Sequence, residues 1–481
     1  MKLKKRLTIY YVLFDALAAL LAWASLFLFR KLDLESPGPK DVAMVLEDAN
    51  FWLGIIFVPL GWLMLYMVMG AYRDVLHKAR LKELETTAIS SLIGVVVLFF
   101  LLMLDDKLIS YRAYYISFLF LLLVHFTLTF IGRLVLTTRT VNGVHNRTIG
   151  FPTLMIGSSD MVYKTYLDLE NQETYSGERI VGYVDTQQTP SENNGNIQNI
   201  IPCMGQMDNI QDLIWEHSIE EVIIALNNPQ GDLINKIIYK LCSSPTRDGE
   251  PLTIKATPGN YNVVLSGVRQ ESIFHSPLLT IKRRPMVEWQ YSIKRICDIV
   301  LSLTAMILLS PVYLVTAIIV KCTSEGPIFY AQERIGYQGK PFKMHKFRSM
   351  YVNAEESGPA LSKDDDPRIT PFGRFMRKVR LDEIPQFYNV FRGTMSLVGP
   401  RPERQFYIDQ IVKQAPEYLL LQRIKPGITS WGQVKFGYAS NVEEMLQRLR
   451  YDLLYLDNMT LTTDIKILLY TVIIIIQGRG K

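Results

Sequence analysis

Two adjacent carboxylates, Asp382 and Glu383, lie in a segment whose residue types could carry out chemistry on phosphate groups. A helix is predicted to begin near Asp382 and to run through Phe391, because Pro385 would then fall in its first turn, where proline is tolerated. Unpaired backbone N–H groups at a helix N-terminus favour negative charge, so they keep carboxylates ionised and also suit a phosphate. One carboxylate could attack phosphorus while the other helps to hold a divalent metal. The alternative is structural: an N-cap Asp followed by a first-turn Glu.

The surroundings of this pair are basic, which favours the chemical interpretation. Arg401 stands between Pro400 and Pro402, and the two prolines restrict the backbone around a single guanidinium group. Such a restricted Arg is typical of a positioned ligand contact. Guanidinium groups bind phosphate oxygens in pairs, although scattered basic residues can also face anionic lipid. The basic set comprises Arg334, Lys346, Arg348, Arg368, Arg374, Arg377 and Arg401.

The N-terminal third of the 481-residue chain contains four apolar stretches, at about residues 7–29, 51–70, 87–104 and 113–132. Each is close to the roughly twenty residues that span a bilayer as a helix. With 49% hydrophobic residues and a mean hydropathy of +0.12, the composition is that of a membrane protein. We therefore expect residues 1–147 to form a bundle of four transmembrane helices.

The charges in the loops predict how this bundle is oriented. The N-terminus and the connector after the second helix are basic, whereas the segment between the first two helices is acidic. The basic residues are Lys2, Lys4, Lys5, Arg6, Arg73, Lys78, Arg80 and Lys82, and the acidic residues are Asp33, Glu35, Asp41, Glu47 and Asp48. By the positive-inside rule both ends of the bundle face the cytoplasm, so the rest of the chain is expected to start there.

Residues 148–277 have the composition of a soluble α/β domain. Buried strands are predicted at Thr153–Gly157 and at Glu221–Leu226, with helical patterns between them, which is typical of a small parallel sheet of Rossmann type. The dinucleotide fingerprint is missing, because Gly157 is followed by Ser158-Ser159-Asp160 with no further Gly at the required spacing. The sequence therefore favours a structural, regulatory or dimerising role for this domain over a working dinucleotide site.

Residues 278–481 begin with another apolar stretch, Ile296–Val320, flanked by basic residues at both ends. Ser310 and Pro311 fall at its midpoint, where Pro removes a backbone donor and clashes with the preceding turn. This pattern predicts a re-entrant helix that enters the bilayer, bends and leaves again. The alternative is a straight fifth span, which would put the phosphate-handling residues outside the cytoplasm. A second apolar helix, Asp464–Gln477, is short for a span and fits an interfacial helix.

About 200 residues at the C-terminal end carry several separated motifs in one order. On these motifs the chain resembles the bacterial sugar transferase family, in the large form with four N-terminal transmembrane helices and a CoA-binding-like middle domain. They are Lys294 to Asp298, Ser310-Pro311, Gly326 to Phe329, Gln332 to Gly336, Lys346 to Met350, Asp366 to Thr370, Leu381 to Gln386, Val398 to Pro402, Lys425 to Thr429, Trp431, Gln433-Val434, Tyr451-Asp452 and Tyr455.

This resemblance implies a monotopic, α/β-rich transferase domain that moves a sugar-1-phosphate from a UDP-sugar to undecaprenyl phosphate and releases UMP. It implies that Asp382 forms a covalent phosphosugar intermediate and that Glu383, with Asp382, holds Mg²⁺. Phosphate-binding positions implied are Arg377, Arg401, Lys346, Arg348 and Arg334. Nucleotide-side positions implied are Thr429, Trp431, Gln433 and Asp452, although Trp431 equally suits a packing role.

The chain departs from the family pattern at Thr394, where an Asp is usual, and at Ser430 and Gly432 around Trp431. The first departure removes a possible acid, and the others make sugar specificity harder to transfer. Four scattered cysteines give neither a disulfide framework nor a zinc site, and no His has a metal-ligand spacing. The expected cofactor is therefore Mg²⁺, bound through oxygen ligands.

The resemblance also sets the expected partners and location. They are a UDP-sugar, undecaprenyl phosphate, the lipid bilayer and a second copy of the chain, with no nucleic acid, in a bacterial inner membrane with the site on its cytoplasmic face. Exopolysaccharide, capsule and O-antigen assembly stay open, as does the identity of the sugar. Two other functions are alternatives: a membrane-bound nucleotide-sugar dehydratase or epimerase, whose Gly-rich fingerprint and Tyr-x-x-x-Lys pair this sequence lacks, and a non-catalytic scaffold.

Overall fold

The computed structural model divides into two compact units, Met1–Ile149 and Gly150–Lys481. Each is treated by itself below. The structure describes residues 2–31, 43–103, 111–172, 175–186, 200–226, 231–242, 244–247, 251–257, 268–270, 278–281, 285–352, 354, 366–437, 439 and 441–477. The predicted loop acids Asp33, Glu35 and Asp41 lie outside the described residues.

The first unit contains helices α1 (Lys2–Phe29), α2 (Ala43–Leu46), α3 (Ala49–Val68), α4 (Arg80–Met103) and α5 (Tyr111–His145). Within the described ranges, all of these except the short α2 are long and apolar enough to cross a membrane, so the prediction of four such helices is confirmed. Their outer faces are apolar and exposed, as lipid-facing helices require.

The interior of this bundle is more polar than the sequence analysis predicted. Arg133 of α5 is fully buried and donates hydrogen bonds to both carboxylate oxygens of Asp15, at 2.9 and 2.8 Å, and to the Thr87 hydroxyl at 3.2 Å. Glu83 lies 3.4 Å from Arg133 and 2.9 Å from Lys78. Buried charges are expensive unless they are paired, and Arg133, Asp15, Glu83 and Lys78 are paired with one another.

The second unit opens with a sheet of strands β1 (Phe151–Gly157), β2 (Glu178–Asp185), β3 (Cys203–Gly205), β4 (Glu221–Ala225), β5 (Thr253–Ala256), β6 (Val268–Gln270) and β7 (Leu279–Ile281). Its order is β3-β2-β1-β4-β5-β7-β6; the first five strands are parallel, and β7 pairs antiparallel with both β5 and β6. Helices α6 (Ser159–Glu170), α7 (Ile210–Glu216) and α8 (Gly231–Cys242) connect the strands. The predicted α/β domain with a parallel sheet is confirmed.

Gly157 is needed here for strand packing. A Cβ at this position would come within 1.7 Å of the Ala225 carbonyl oxygen on the neighbouring strand β4. The Gly therefore allows β1 and β4 to approach each other at the end of the sheet, which accounts for it without any phosphate ligand.

The remaining chain forms a domain that packs on this sheet domain within the same unit. It contains α9 (Glu288–Leu308), α10 (Ser310–Thr323), β8 (Phe329–Ile335), β9 (Pro341–Phe347), α11 (Pro371–Lys378), α12 (Gln386–Arg392), β10 (Ser396–Val398), α13 (Gln405–Gln414), β11 (Gly427–Thr429), α14 (Trp431–Lys435), α15 (Val442–Asp457) and α16 (Leu461–Ile476). Tyr239 and Cys242 of α8 pack against its core, beside a 3₁₀ helix at Pro416–Arg423.

The apolar stretch at the start of this domain is a broken helix. Helix α9 begins at Glu288, earlier than the predicted Ile296, and α10 begins at Ser310, with a bend of 60° between them. Pro311 falls in the first turn of α10, the position where proline is tolerated. The predicted break at Ser310 and Pro311 is thus present, and a bend of this kind is compatible with either a broken span or a re-entrant hairpin.

Candidate active site

Asp382 and Glu383 lie in a short 3₁₀ helix, Leu381–Glu383, and the α-helix that follows starts only at Gln386. The helix predicted over residues 382–391 is present in two parts: a 3₁₀ helix carries the acidic pair, and α12 begins four residues after Asp382 with Pro385 as its N-cap. Arg380, just before the 3₁₀ helix, adopts a left-handed conformation with φ of +58°. The sharp turn at Arg380 folds the acidic pair back, and both carboxylates are buried.

The acidic turn is anchored from two neighbouring elements. The Tyr313 hydroxyl of α10 donates to the Ile384 carbonyl oxygen at 2.6 Å. Asn389 of α12 accepts from the His345 backbone N–H at 3.0 Å and donates to the Lys343 carbonyl oxygen at 2.8 Å, which ties α12 to β9. The turn is therefore held between the broken helix and the β8–β9 hairpin.

The charged residues at the start of α9 attach that helix to the same region. Arg295 donates to the carbonyl oxygens of Val390 and Phe391 at 2.7 and 2.8 Å, in the last turn of α12. The Asp298 carboxylate accepts from the backbone N–H of Leu397 at 2.9 Å in β10, and Lys294 donates to the Val398 carbonyl oxygen at 2.9 Å. These bonds fix the broken helix relative to the acidic turn.

Glu383 is surrounded by three cations. Its carboxylate oxygens lie 3.0 Å from Lys346, 3.4 Å from Arg380 and 3.7 Å from Arg401. Burial by itself would raise the pKa of Glu383, but the charges of Lys346, Arg401 and Arg380 outweigh it and hold the pKa well below its usual range. Glu383 is therefore ionised at neutral pH.

Asp382 has a different environment from its neighbour. Burial raises the pKa of Asp382, and the adjacent Glu383 raises it further, against the opposing charges of Lys346, Arg377 and Arg401. Within the described part of the chain, no hydrogen bond holds the Asp382 carboxylate. Adjacent carboxylates with pKa values pushed in opposite directions are suited to different chemical tasks, so the pair is not symmetric.

Three residues of the predicted phosphate-binding set, Lys346, Arg377 and Arg401, lie beside the acidic pair. Arg334 and Arg348 have contacts elsewhere. Arg334 donates to the Gln332 side chain, the Pro402 carbonyl oxygen and Glu403. Arg348 is buried and donates to the Ser324 carbonyl oxygen at 2.6 Å, beyond the C-terminal end of α10, where a positive charge is favoured.

The predicted nucleotide-side residues lie next to the Arg401 segment, since β11 pairs with β10 and the Gly399 N–H donates to the Thr429 carbonyl oxygen at 3.0 Å. The Thr429 hydroxyl bonds to the Thr471 hydroxyl of α16 at 2.7 Å. Trp431 packs against the domain core. Gln433 is buried, and neither of its amide atoms has a hydrogen-bond partner among the described residues.

Asp452 of α15 is buried close to these residues. Its carboxylate accepts from the Gly432 backbone N–H at 3.1 Å and lies 4.0 Å from Arg448. Burial raises the pKa of Asp452 to about 6, against the lowering effect of the nearby Arg448 charge. Through its bond to the Gly432 backbone N–H, Asp452 stabilises the turn that contains Gln433.

Three further charged residues have contacts that motif and spacing do not predict: Arg380, Glu403 and Arg448. Arg380 contacts Glu383, and its position beside the acidic pair was a signal that could have identified it. Glu403 bonds to both Arg334 and Arg448. Glu403 directly follows the Pro-Arg-Pro sequence, but Arg448 is far away in the chain and only the fold brings it there.

The residues present fit a magnesium ion that arrives together with a phosphate ligand. Mg²⁺ is usually held by one or two carboxylates plus substrate phosphates, and Asp382 and Glu383 supply such oxygens. Across the described ranges, no group of three or more His, Cys, Asp or Glu side chains could hold a metal ion. A site made from protein ligands alone is therefore less suited to these residues than one completed by a diphosphate.

Comparison with known proteins identifies two family models along the chain. A bacterial sugar transferase model matches residues 289–478, and a CoA-binding domain model matches residues 67–247. The first model covers all the site residues described above.

Several curated relatives match the same part of the chain. "UDP-N-acetylgalactosamine-undecaprenyl-phosphate N-acetylgalactosaminephosphotransferase" of Aeromonas hydrophila is 40% identical over 188 residues, which are 39% of this chain and 44% of that protein. "UDP-glucose:undecaprenyl-phosphate glucose-1-phosphate transferase" of Escherichia coli K12 is 34% identical over 269 residues, covering 55% and 57%. A protein of the same name from Caulobacter vibrioides is 38% identical over 181 residues, covering 37% and 68%. The chain thus spans about half the length of the first two relatives.

Proposed function

The chain belongs to the bacterial sugar transferase family, and we propose that it is a phosphotransferase that moves a sugar-1-phosphate from a UDP-sugar to undecaprenyl phosphate. The relatives named above are phosphotransferases that act on undecaprenyl phosphate. The observation that carries the proposal is the buried, asymmetric acidic pair: Glu383 is held by three cations, whereas Asp382 has no hydrogen bond among the described residues. The cations suit a substrate with several negative charges.

In the proposed first step, an oxygen of the Asp382 carboxylate attacks the phosphorus atom that carries the sugar. The new bond between this oxygen and phosphorus forms as the bond between phosphorus and the bridging oxygen breaks, and UMP leaves with the electron pair. The product is a phosphosugar attached to Asp382. Arg377 and Arg401 neutralise phosphate oxygens, where negative charge is redistributed in the transition state.

In the proposed second step, the phosphate oxygen of undecaprenyl phosphate attacks the same phosphorus atom. The bond to Asp382 breaks, the carboxylate is regenerated, and undecaprenyl-diphosphate-sugar is released. The attack requires Asp382 in its ionised form, which the charges of Lys346, Arg377 and Arg401 favour and burial opposes. Lys346 keeps Glu383 ionised and in place.

Magnesium would be held by Glu383 and Asp382 together with substrate phosphate oxygens, and it would supply charge neutralisation on the diphosphate. The broken helix α9–α10 would act as the re-entrant element, because Tyr313 of α10 bonds to the acidic turn and Arg295 of α9 bonds to α12, the helix that follows this turn. A lipid phosphate delivered along this helix would arrive beside Asp382. The site would then face the cytoplasm from the inner membrane of a bacterium, where nucleotide sugars are available.

The test is UMP release by the detergent-solubilised full chain with Mg²⁺, undecaprenyl phosphate and a panel of UDP-sugars. The panel should contain UDP-glucose, UDP-galactose and UDP-N-acetylgalactosamine, since the relatives differ in the sugar their names carry. Release with one donor, dependent on Mg²⁺ and lost in Asp382→Asn, is the expected result. Asp409→Asn is the matched control, because Asp409 is an exposed carboxylate on α13 of the same domain.

The covalent step can be tested separately. With a UDP-sugar labelled in the sugar and no undecaprenyl phosphate, native protein should acquire one sugar-phosphate mass on the peptide that contains Asp382. Absence of UMP release with every donor would refute the proposed function. Release without a labelled peptide would keep the reaction but exclude the covalent intermediate.

A further inference from the structure

The short turn that carries Arg401 is bonded along its whole length. The Pro400 carbonyl oxygen accepts from the Gly427 N–H at 3.0 Å, and the Pro402 carbonyl oxygen accepts from Arg334 at 3.1 Å. The Glu403 carbonyl oxygen accepts from the backbone N–H of Ile335 at 3.0 Å. The turn is therefore tied to two neighbouring strands, β11 and β8.

The Glu403 side chain is buried and lies at the centre of this arrangement. One of its carboxylate oxygens accepts from Arg448 at 2.5 Å, and the other accepts from Arg334 at 3.2 Å. Arg334 thereby bonds to the side chain of Glu403 and to the backbone of Pro402 at once. A carboxylate that bridges two guanidinium groups holds both of them in a fixed orientation.

The second arm of this network reaches the nucleotide-side residues. Arg448 lies 4.0 Å from Asp452, and Asp452 accepts from the backbone N–H of Gly432. Glu403 thus connects the Arg401 turn to the segment that contains Gln433. The two halves of the proposed substrate site share one buried carboxylate.

We propose that Glu403 is a positioning residue that, through Arg334 and Arg448, fixes the turn that directs Arg401 toward Glu383. The inference rests on the proposed function, because it assigns Arg401 to the phosphate of the donor. Each carboxylate oxygen of Glu403 accepts a hydrogen bond from one guanidinium group, that of Arg334 or of Arg448. The Arg401 guanidinium lies 3.7 Å from Glu383. Glu403 therefore influences the transfer through Arg401 and has no contact with substrate of its own.

The kinetic test is a double-mutant cycle on kcat/KM for UMP release, using Glu403→Gln, Arg401→Ala and the double variant. Glu403→Gln places an amide NH₂ against one guanidinium group, so one bond of the bridge is lost. We expect this variant to lower kcat about 30-fold with little change in KM, as for loss of a transition-state interaction. In the Arg401→Ala background the same change should lower kcat/KM less than about threefold, because the group it positions is already absent.

A second readout does not depend on activity. The rate at which phenylglyoxal modifies Arg401, followed by mass spectrometry of its peptide, should rise several-fold in Glu403→Gln because the turn is no longer held. Glu443→Gln is the matched control, since Glu443 is an exposed carboxylate on α15 of the same domain. Thermal unfolding of each variant confirms that the chain is folded.

The outcomes separate this inference from the proposed function. Effects of Glu403→Gln and Arg401→Ala that multiply in the double variant would overturn the positioning role, as would an unchanged modification rate at Arg401. If native protein released no UMP with any donor, the proposed function would fail while the modification experiment would still decide whether Glu403 fixes the Arg401 turn.

Discussion

Two buried clusters of charged side chains, one around Arg133 in the helix bundle and one around Asp382 and Glu383 in the transferase domain, differ in how their charges are balanced. In the bundle, Arg133 bonds to both oxygens of Asp15, and Glu83 lies between Arg133 and Lys78. Each charge there is matched by an opposite charge in contact with it. Such a cluster is complete and has nothing left to offer a ligand.

The cluster around Asp382 and Glu383 is incomplete by the same criterion. Lys346, Arg380 and Arg401 all lie within 3.7 Å of Glu383, so positive charge exceeds negative charge around this carboxylate. Burial of charged side chains is therefore not, by itself, a sign of a functional site. The imbalance is the sign, because an anionic ligand would balance the excess positive charge.

The largest difference between the two clusters is expected when one carboxylate is removed from each. Asp382→Asn should lower UMP release by at least about 10⁴-fold, as expected for loss of a covalent nucleophile, while thermal stability changes little. Asp15→Asn should do the reverse, destabilising the bundle because Arg133 loses the nearer of its two counter-charges, at 2.8 Å, and keeps only Glu83. Activity and thermal unfolding of the two detergent-solubilised variants measure both effects. Equal loss of stability in both variants would remove the distinction between the clusters.

Removal of Arg133, the central cation of the bundle, tests how much its buried ion pairs stabilise the fold. Arg133→Met leaves Asp15 and Glu83 without their shared partner, and the expected loss is about 3–5 kcal/mol in the free energy of unfolding. Arg139→Met is the matched control, because Arg139 is exposed on the same helix. Denaturant unfolding in micelles measures the difference. An Arg133 variant as stable as the Arg139 variant would show that the buried pairs contribute nothing.

The pH dependence of stability tests the elevated pKa of Asp452, which lies among the nucleotide-side residues. Burial raises its pKa to about 6 in the folded chain, above the value of about 3.9 for an unfolded Asp. The folded state therefore binds this proton more tightly, so the stabilisation is present below about pH 4 and is lost as pH rises through about 6. A shift of this size corresponds to about 3 kcal/mol, and Asp452→Asn should abolish that part of the pH dependence.

Thermal unfolding midpoints of native protein and Asp452→Asn between pH 4 and 7 provide the measurement. Asp457→Asn is the control, because Asp457 is exposed near the end of the same helix. Parallel pH profiles for native protein and Asp452→Asn would contradict the elevated pKa.

The elements that could be predicted from sequence are those set by local rules. Stretches of bilayer length predicted the four apolar helices, and Pro311 predicted the break between α9 and α10, because proline cannot continue the preceding turn. The polar interior of the bundle was missed, since Arg133 sits alone in an apolar stretch and its partners come from other helices.

The individual roles of basic residues could not be predicted for a related reason. A guanidinium group binds a carbonyl oxygen, a carboxylate or a phosphate, and sequence does not tell which of these the fold brings near. Arg334 and Arg348 bond to groups away from the acidic pair, whereas the Arg401 guanidinium lies beside Glu383. Arg380 is close to the acidic pair in sequence, but its contact with Glu383 depends on a left-handed backbone conformation, which a residue with a side chain seldom adopts.

Substitution of Arg380 is expected to have the smallest effect on stability and activity. It changes the backbone strain and the charge around Glu383 in one variant. Its φ of +58° is unfavourable for a residue with a Cβ, so Arg380→Gly should stabilise the fold by up to about 1 kcal/mol. The same change removes one cation from Glu383 and should lower kcat/KM about tenfold. Ser218→Gly is the matched control, because Ser218 has φ of +50° outside the site and should gain similar stability without losing activity. If Arg380→Gly kept full activity, the charge of Arg380 would be dispensable, and the strained turn would serve only to fold back the acidic pair.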